Sequence, residues 1–190
     1  MSPRSAELHG AGRPRVATVW LGGCSGCHMS FLDLDERLID LAQMADIVFT
    51  PVADTKIFPE DVDVTLVEGA ICNEDHVQMI QTVRARTRVL ASLGDCAITG
   101  NVTALRNVWP VEAVLHNAYV ERASASPQVP DEPGILPHLT PRVVPLHHVV
   151  AVDAYIPGCP PDADRIWTAL LALLHGEPVL AAEAPAAKFG

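Results

Sequence analysis

No run of basic residues occurs in this 190-residue chain, whose formal net charge is -10. A nucleic-acid partner favours a basic face, so none is expected. No stretch reaches the roughly 18 consecutive apolar residues of a membrane span. Residues Met1 to Pro14 hold Arg4 and Arg13 but no apolar h-region and no adjacent arginine pair. That argues against Sec and twin-arginine export signals and predicts a cytoplasmic protein. Charge is too sparse (19%) and apolar content too high (49%) for a disordered chain. The length suits one domain with a core that needs no staples. No internal repeat is visible. Cysteine is scarce, at five residues, and in a reducing compartment cysteines act as ligands or catalysts more often than as disulfides.

The apolar residues fall into an alternating series of strands and helices. Arg15 to Leu21 is β-branched and ends on Gly22-Gly23. A helix is predicted over 30–44, with Phe31, Leu34, Leu38 and Leu41 at helical spacing. Strands follow at 46–50, 63–67 and 88–93, and a late one at 148–155. Asn73 and Asp162 are suited to cap helices running to about Arg86 and Gly176, and Asn101 opens a shorter one. Residues 121–145 read as loop, with Pro127, Pro130, Pro133, Pro137, Pro141 and Pro145. The alternation predicts an α/β fold: an open parallel sheet with helices on both faces. Residues 1–14 and 181–190 read as flexible tails around a single domain at 15–180.

The five cysteines, Cys24, Cys27, Cys72, Cys96 and Cys159, each lie just past a predicted strand. In a parallel sheet those ends share one edge, the edge where ligands bind. Gly22, Gly23, Gly26, Gly94 and Gly158 remove bulk beside them, so backbone N–H groups can approach a negatively charged group. Pro157, Pro160 and Pro161 stiffen the turn around Cys159. This arrangement suits an iron–sulfur cluster. Three other readings stay open on the residues alone: buried thiols acting as small hydrophobes, a structural zinc site, although only one C-x-x-C pair is present, and a thioredoxin-like thiol–disulfide oxidoreductase using Cys24 and Cys27.

Four segments then occur in order: Leu21-Gly-Gly-Cys24-Ser-Gly-Cys27, Glu68-Gly-Ala-Ile71, Gly94-Asp-Cys96-Ala97 and Pro157-Gly-Cys159-Pro-Pro161. Together they resemble the small subunit of nickel–iron hydrogenases, across residues 15 to about 175. The resemblance implies a flavodoxin-like domain with one 4Fe-4S cluster at the carboxyl edge of the strands. It implies the ligands Cys24, Cys27, Cys96 and Cys159, with Gly23, Gly26, Gly94 and Gly158 around the cluster and Cys72 left over as a buried thiol. No cysteine follows Cys159, which resembles the short small subunits of cytoplasmic, NAD-coupled hydrogenases. There, electrons pass from the nickel–iron centre of a large subunit through the cluster to an iron–sulfur and flavin (diaphorase) module. The cluster-carrying subunit of complex I, and of related membrane-bound hydrogenases, is similar. In complex I the first two cysteines are adjacent, whereas Ser25-Gly26 separates them here.

Glu68 ends a strand at this edge. Two roles are open to it: taking up a proton beside a reduced cluster, or fixing a loop by accepting backbone N–H bonds. His28 follows a candidate ligand and could donate to a cluster sulfur, but is expected to be solvated. His147-His148 is set aside as a metal pair because neighbours on a strand face opposite ways. A flavin mononucleotide would need the loop at 22–27, which the cysteines already use, so FMN is not expected in this chain. No cysteine pairs remain for nickel, which places the nickel–iron centre in a partner.

Overall fold

A computed structural model describes residues 12–179, so the tails read at 181–190 and over most of 1–14 lie outside the described residues. Five strands form one parallel sheet: β1 (Arg15–Trp20), β2 (Asp46–Phe49), β3 (Val62–Glu68), β5 (Thr87–Leu93) and β7 (Ala154–Ile156), in the order β2-β1-β3-β5-β7. Counted within this sheet alone, the order is 2-1-3-4-5, the flavodoxin-like doubly wound arrangement. A second, antiparallel pair joins β4 (Ile71–Asn73) to β6 (Leu139–Val144).

Helices cover both faces, which is why β3 is buried at every residue, its polar Asp63, Thr65 and Glu68 included. On one face, Phe31 of α1 (Gly26–Leu32), Leu41 of α2 (Arg37–Met44) and Ile166, Leu170 and Leu173 of α6 (Ala163–Leu174) pack on Val16, Leu66, Leu93 and Ile156. On the other, Ile80 and Val83 of α3 (Glu74–Arg86) and Ala97 of α4 (Asp95–Thr99) pack on Ala17, Val19, Val67 and Leu90. Fully burying such a side chain contributes about 1.5–3 kcal/mol. The predicted caps form: Asn73 Oδ1 accepts the His76 N–H at 2.9 Å, and Asp162 Oδ1 accepts the Arg165 N–H at 2.8 Å.

Three predicted elements differ. The helix expected over 30–44 is two helices, because the chain turns at Asp35 (φ 49°) between α1 and α2. The stretch expected as loop to 145 ends in β6. Its strand character comes from partners distant in sequence: the Asn107 side chain bonds both the C=O (2.8 Å) and the N–H (2.7 Å) of Val143, and Arg106 reaches the Thr140 carbonyl at 2.8 Å. Both belong to a 3-10 helix, Asn101–Val108, that follows α4 and is continued by α5 (Val111–His116). The strand expected over 148–155 shortens to β7, and His147-His148 instead sits on a 3-10 turn, Leu146–His148.

The register aligns the strand ends. Trp20 pairs with Glu68, Glu68 with Leu93, and Leu93 with Ile156. The residues that follow these four positions leave the sheet side by side at its carboxyl edge.

Candidate functional site

Four cysteines emerge from that row. Cys24 lies in the loop after β1, Cys27 in the first turn of α1, Cys96 in the first turn of α4, and Cys159 three residues beyond β7. Cys27 and Cys96 are each 7% exposed, while Cys24 and Cys159 are exposed. The two buried thiols feel the charges of the two exposed ones. Burial pushes the Cys27 thiol up to about 12, and Glu68, Cys96, Cys24 and Cys159 add to the rise. Cys96 is raised by burial first, then by Cys159, Cys24, Glu68 and Asp95. Low dielectric and gathered negative charge both disfavour bare thiolates, so such a group is stable as thiolates only when positive charge sits among them.

Two glycines make the gathering possible. Gly94 has a positive φ (81°) that side-chain-bearing residues rarely adopt, and a Cβ there would collide with Cys27 Sγ. At Gly158 (φ 145°) a Cβ would run into the backbone of Pro161. Gly26 opens α1, where a side chain would press on Cys24 Sγ, and Gly23 lies against Gly69 and Glu68. The loops carrying Cys96 and Cys159 are tied together: Asp95 Oδ1 accepts the Gly158 N–H and Gly158 O accepts the Asp95 N–H, both at 2.9 Å.

Cys72 stands apart, within β4. Its Sγ lies where a Cβ on Gly22 would be, and it donates weakly to Ala70 O at 3.6 Å. Burial raises its pKa and Arg106 opposes the rise; none of the other four cysteines is among the causes.

Glu68 is 1% exposed and bonds the first turn of α1. One oxygen, Oε2, accepts both the backbone N–H of His28 and its ring Nδ1–H, each at 2.8 Å. His28 is therefore not solvated: it is 3% exposed, its ring meets Trp20 edge-on at 5.2 Å, and Nε2 has no hydrogen-bond partner among the described residues. The sequence carries no sign of this pair, because its members are 40 positions apart. His147 and His148 are exposed with ring centroids 4.8 Å apart.

The donor set fits an iron–sulfur cluster. Four thiolates on one zinc ion, at about 2.3 Å each, would bring the sulfurs within roughly 4 Å of one another. Among the described residues, no group of three or more His, Cys, Asp or Glu side chains is placed to hold a single metal ion. A cubane instead offers four separate iron corners, one per thiolate. Cys24, Cys27, Cys96 and Cys159 could hold one. No helix among the described residues is long and apolar enough to cross a membrane.

Comparison with known proteins adds the following. The family described as NADH ubiquinone oxidoreductase, 20 Kd subunit, matches residues 24–173. The delta subunit of the NAD-reducing hydrogenase HoxS of Cupriavidus necator is 41% identical over 171 residues, covering 88% of this chain and 81% of that protein. A subunit of the F420-non-reducing hydrogenase of Methanothermobacter thermautotrophicus is 40% identical over 173 residues, 87% of this chain. This chain spans about half the length of that relative (54%). A crystal structure of an NAD+-reducing NiFe hydrogenase in the H2-reduced state contains a chain 42% identical, with a TM-score of 0.83 over 87% of this chain and 93% of that one. A NiFeSe hydrogenase of Desulfomicrobium baculatum, at 17% identity and a TM-score of 0.54, shares the fold.

Proposed function

Since this chain belongs to the family of the 20 Kd subunit of NADH ubiquinone oxidoreductase and is a hydrogenase subunit of the nickel–iron type, we propose that it is the electron-relay small subunit of an NAD-linked enzyme. Cys24, Cys27, Cys96 and Cys159 hold one 4Fe-4S cluster. A large subunit carries the nickel–iron centre, and an iron–sulfur and flavin module receives the electrons.

The observation that carries this reading is the convergence of those four cysteines on one sheet edge, in a chain aligned along 81% of an NAD-reducing hydrogenase subunit. When bound, the cluster takes up and passes on one electron. The chain's own residues do the rest. Cys27 and Cys96, buried, exclude water from one side of the site, and the exposed Cys24 and Cys159 leave the other side open to a partner. Gly94 lets Cys27 and the Cys96 turn approach, and Glu68 anchors the turn of α1 that carries Cys27. A dry, hydrogen-bonded surround of this kind sets the potential at which a cluster works.

The thiol–disulfide alternative fits less well. It needs only Cys24 and Cys27, and so leaves Cys96 and Cys159 without a role. The test of the proposed function compares the complex with the chain alone. The purified complex should couple hydrogen oxidation to NAD reduction, and the isolated chain should do neither. Hydrogen uptake by the isolated chain would overturn the relay assignment; a complex that passes electrons to a quinone and not to NAD would favour a complex I-like or membrane-bound hydrogenase instead.

A further inference from the structure

Asn101 occupies a strained position for a purpose that neither its helix nor the adjacent loop explains. It follows Gly100, the left-handed end of α4, and is itself left-handed at φ 37°. Any residue other than glycine pays for that conformation, Asn and Asp least. Its backbone N–H is taken by Thr99 Oγ1 at 3.3 Å. Its side chain crosses to the loop after β7, where Nδ2 donates to Cys159 Sγ at 3.2 Å.

That loop does not need Asn101 to hold it. The reciprocal Asp95–Gly158 bonds already join α4 to it one residue before Cys159. The amide therefore adds a bond to the sulfur itself. A neutral thiol sulfur is a weak acceptor, and a donor aimed at sulfur matters most when that sulfur carries negative charge. Cys159 is exposed, so water competes on one side, and a fixed protein donor gives a defined bond where solvent gives a fluctuating one.

We propose that Asn101 tunes the cluster: its Nδ2–H stabilises the electron-rich, reduced form more than the oxidised form and so raises the reduction potential. This rests on Cys159 being a cluster ligand. One electron enters from the nickel–iron partner and one leaves to the acceptor module. Asn101 exchanges no proton and forms no covalent bond. It is a positioning residue, acting through Cys159.

The test uses the native complex carrying wild-type chain, Asn101→Gly or Asn101→Asp. Each is titrated with redox mediators and followed by low-temperature EPR, with iron content and thermal stability measured alongside. Glycine suits a left-handed position better than asparagine, so Asn101→Gly should keep the wild-type iron content and a fold at least as stable. At a fixed solution potential its ratio of reduced to oxidised cluster should fall about tenfold, ~59 mV for a one-electron couple. Asn101→Asp keeps the size and the backbone tolerance but replaces the donor with a carboxyl oxygen, and should fall further. A merely structural role predicts the reverse pattern, with stability altered and potential unmoved. Iron-replete Asn101→Gly at the wild-type potential overturns the inference and leaves the cluster reading intact. So does Asn101→Asp at or above the wild-type potential, which decides the matter if the glycine variant fails to assemble. A native complex in which this chain binds no four-iron cluster overturns both.

Discussion

At the scale of single residues, five cysteines divide into four and one. Cys27 and Cys96 both feel the charges of Cys24 and Cys159, while Cys72 responds to burial and Arg106. Each iron corner of a cubane takes one thiolate, so one cysteine is surplus, and geometry favours Cys72. Cys72→Ser should keep the iron and the EPR signal of the reduced protein, whereas serine at any of the other four should lose the cluster or leave a degraded one. Loss in Cys72→Ser with full retention in one of the others would show that the wrong residue was set aside. These positions were legible because each cysteine follows an apolar run that ends on glycine or proline. The His28–Glu68 pair and the Asn101 bond to Cys159 were not. Each joins side chains 40 or 58 positions apart, and a contact between side chains that distant leaves no local pattern.

At the scale of elements, α1 is short and has no side-chain cap; Ser25, at its N-cap, is left-handed at φ 65°. What holds its first turn is β3, through Glu68 Oε2 and the two donors of His28. Removing that acceptor strands two buried donors, at about 1–3 kcal/mol each. Glu68→Ala should therefore destabilise the chain by roughly 2–6 kcal/mol in chemical denaturation and lower its iron content. Glu68→Gln keeps an acceptor oxygen and should recover most of both. Equal damage from Ala and Gln would show that the acceptor geometry is not what matters. The parallel strands and the capped helices α3 and α6 were readable from period and cap residues. The β4–β6 pair was hidden by prolines: Pro141 sits inside β6, a strand paired on one side only, where a missing N–H is tolerated. The break between α1 and α2 was hidden because Leu34, Leu38 and Leu41 keep a helical spacing across it, and nothing but the left-handed Asp35 marks it.

At the scale of the whole molecule, the sheet register does the assembling. It sets Trp20, Glu68, Leu93 and Ile156 in one row, and segments separated by as much as 135 positions, Cys24 to Cys159, leave it together. The alternation of strands and helices made that convergence predictable without any one contact being known. Its chemical consequence is that four cysteines gather at one edge, the donor set that the proposed cluster needs. The most direct measurement is metal and sulfide analysis of the full-length chain purified without oxygen. The account predicts a brown protein with about four irons and four acid-labile sulfides per chain. A colourless protein that holds a single zinc, or that holds no metal and reduces disulfides, would contradict it.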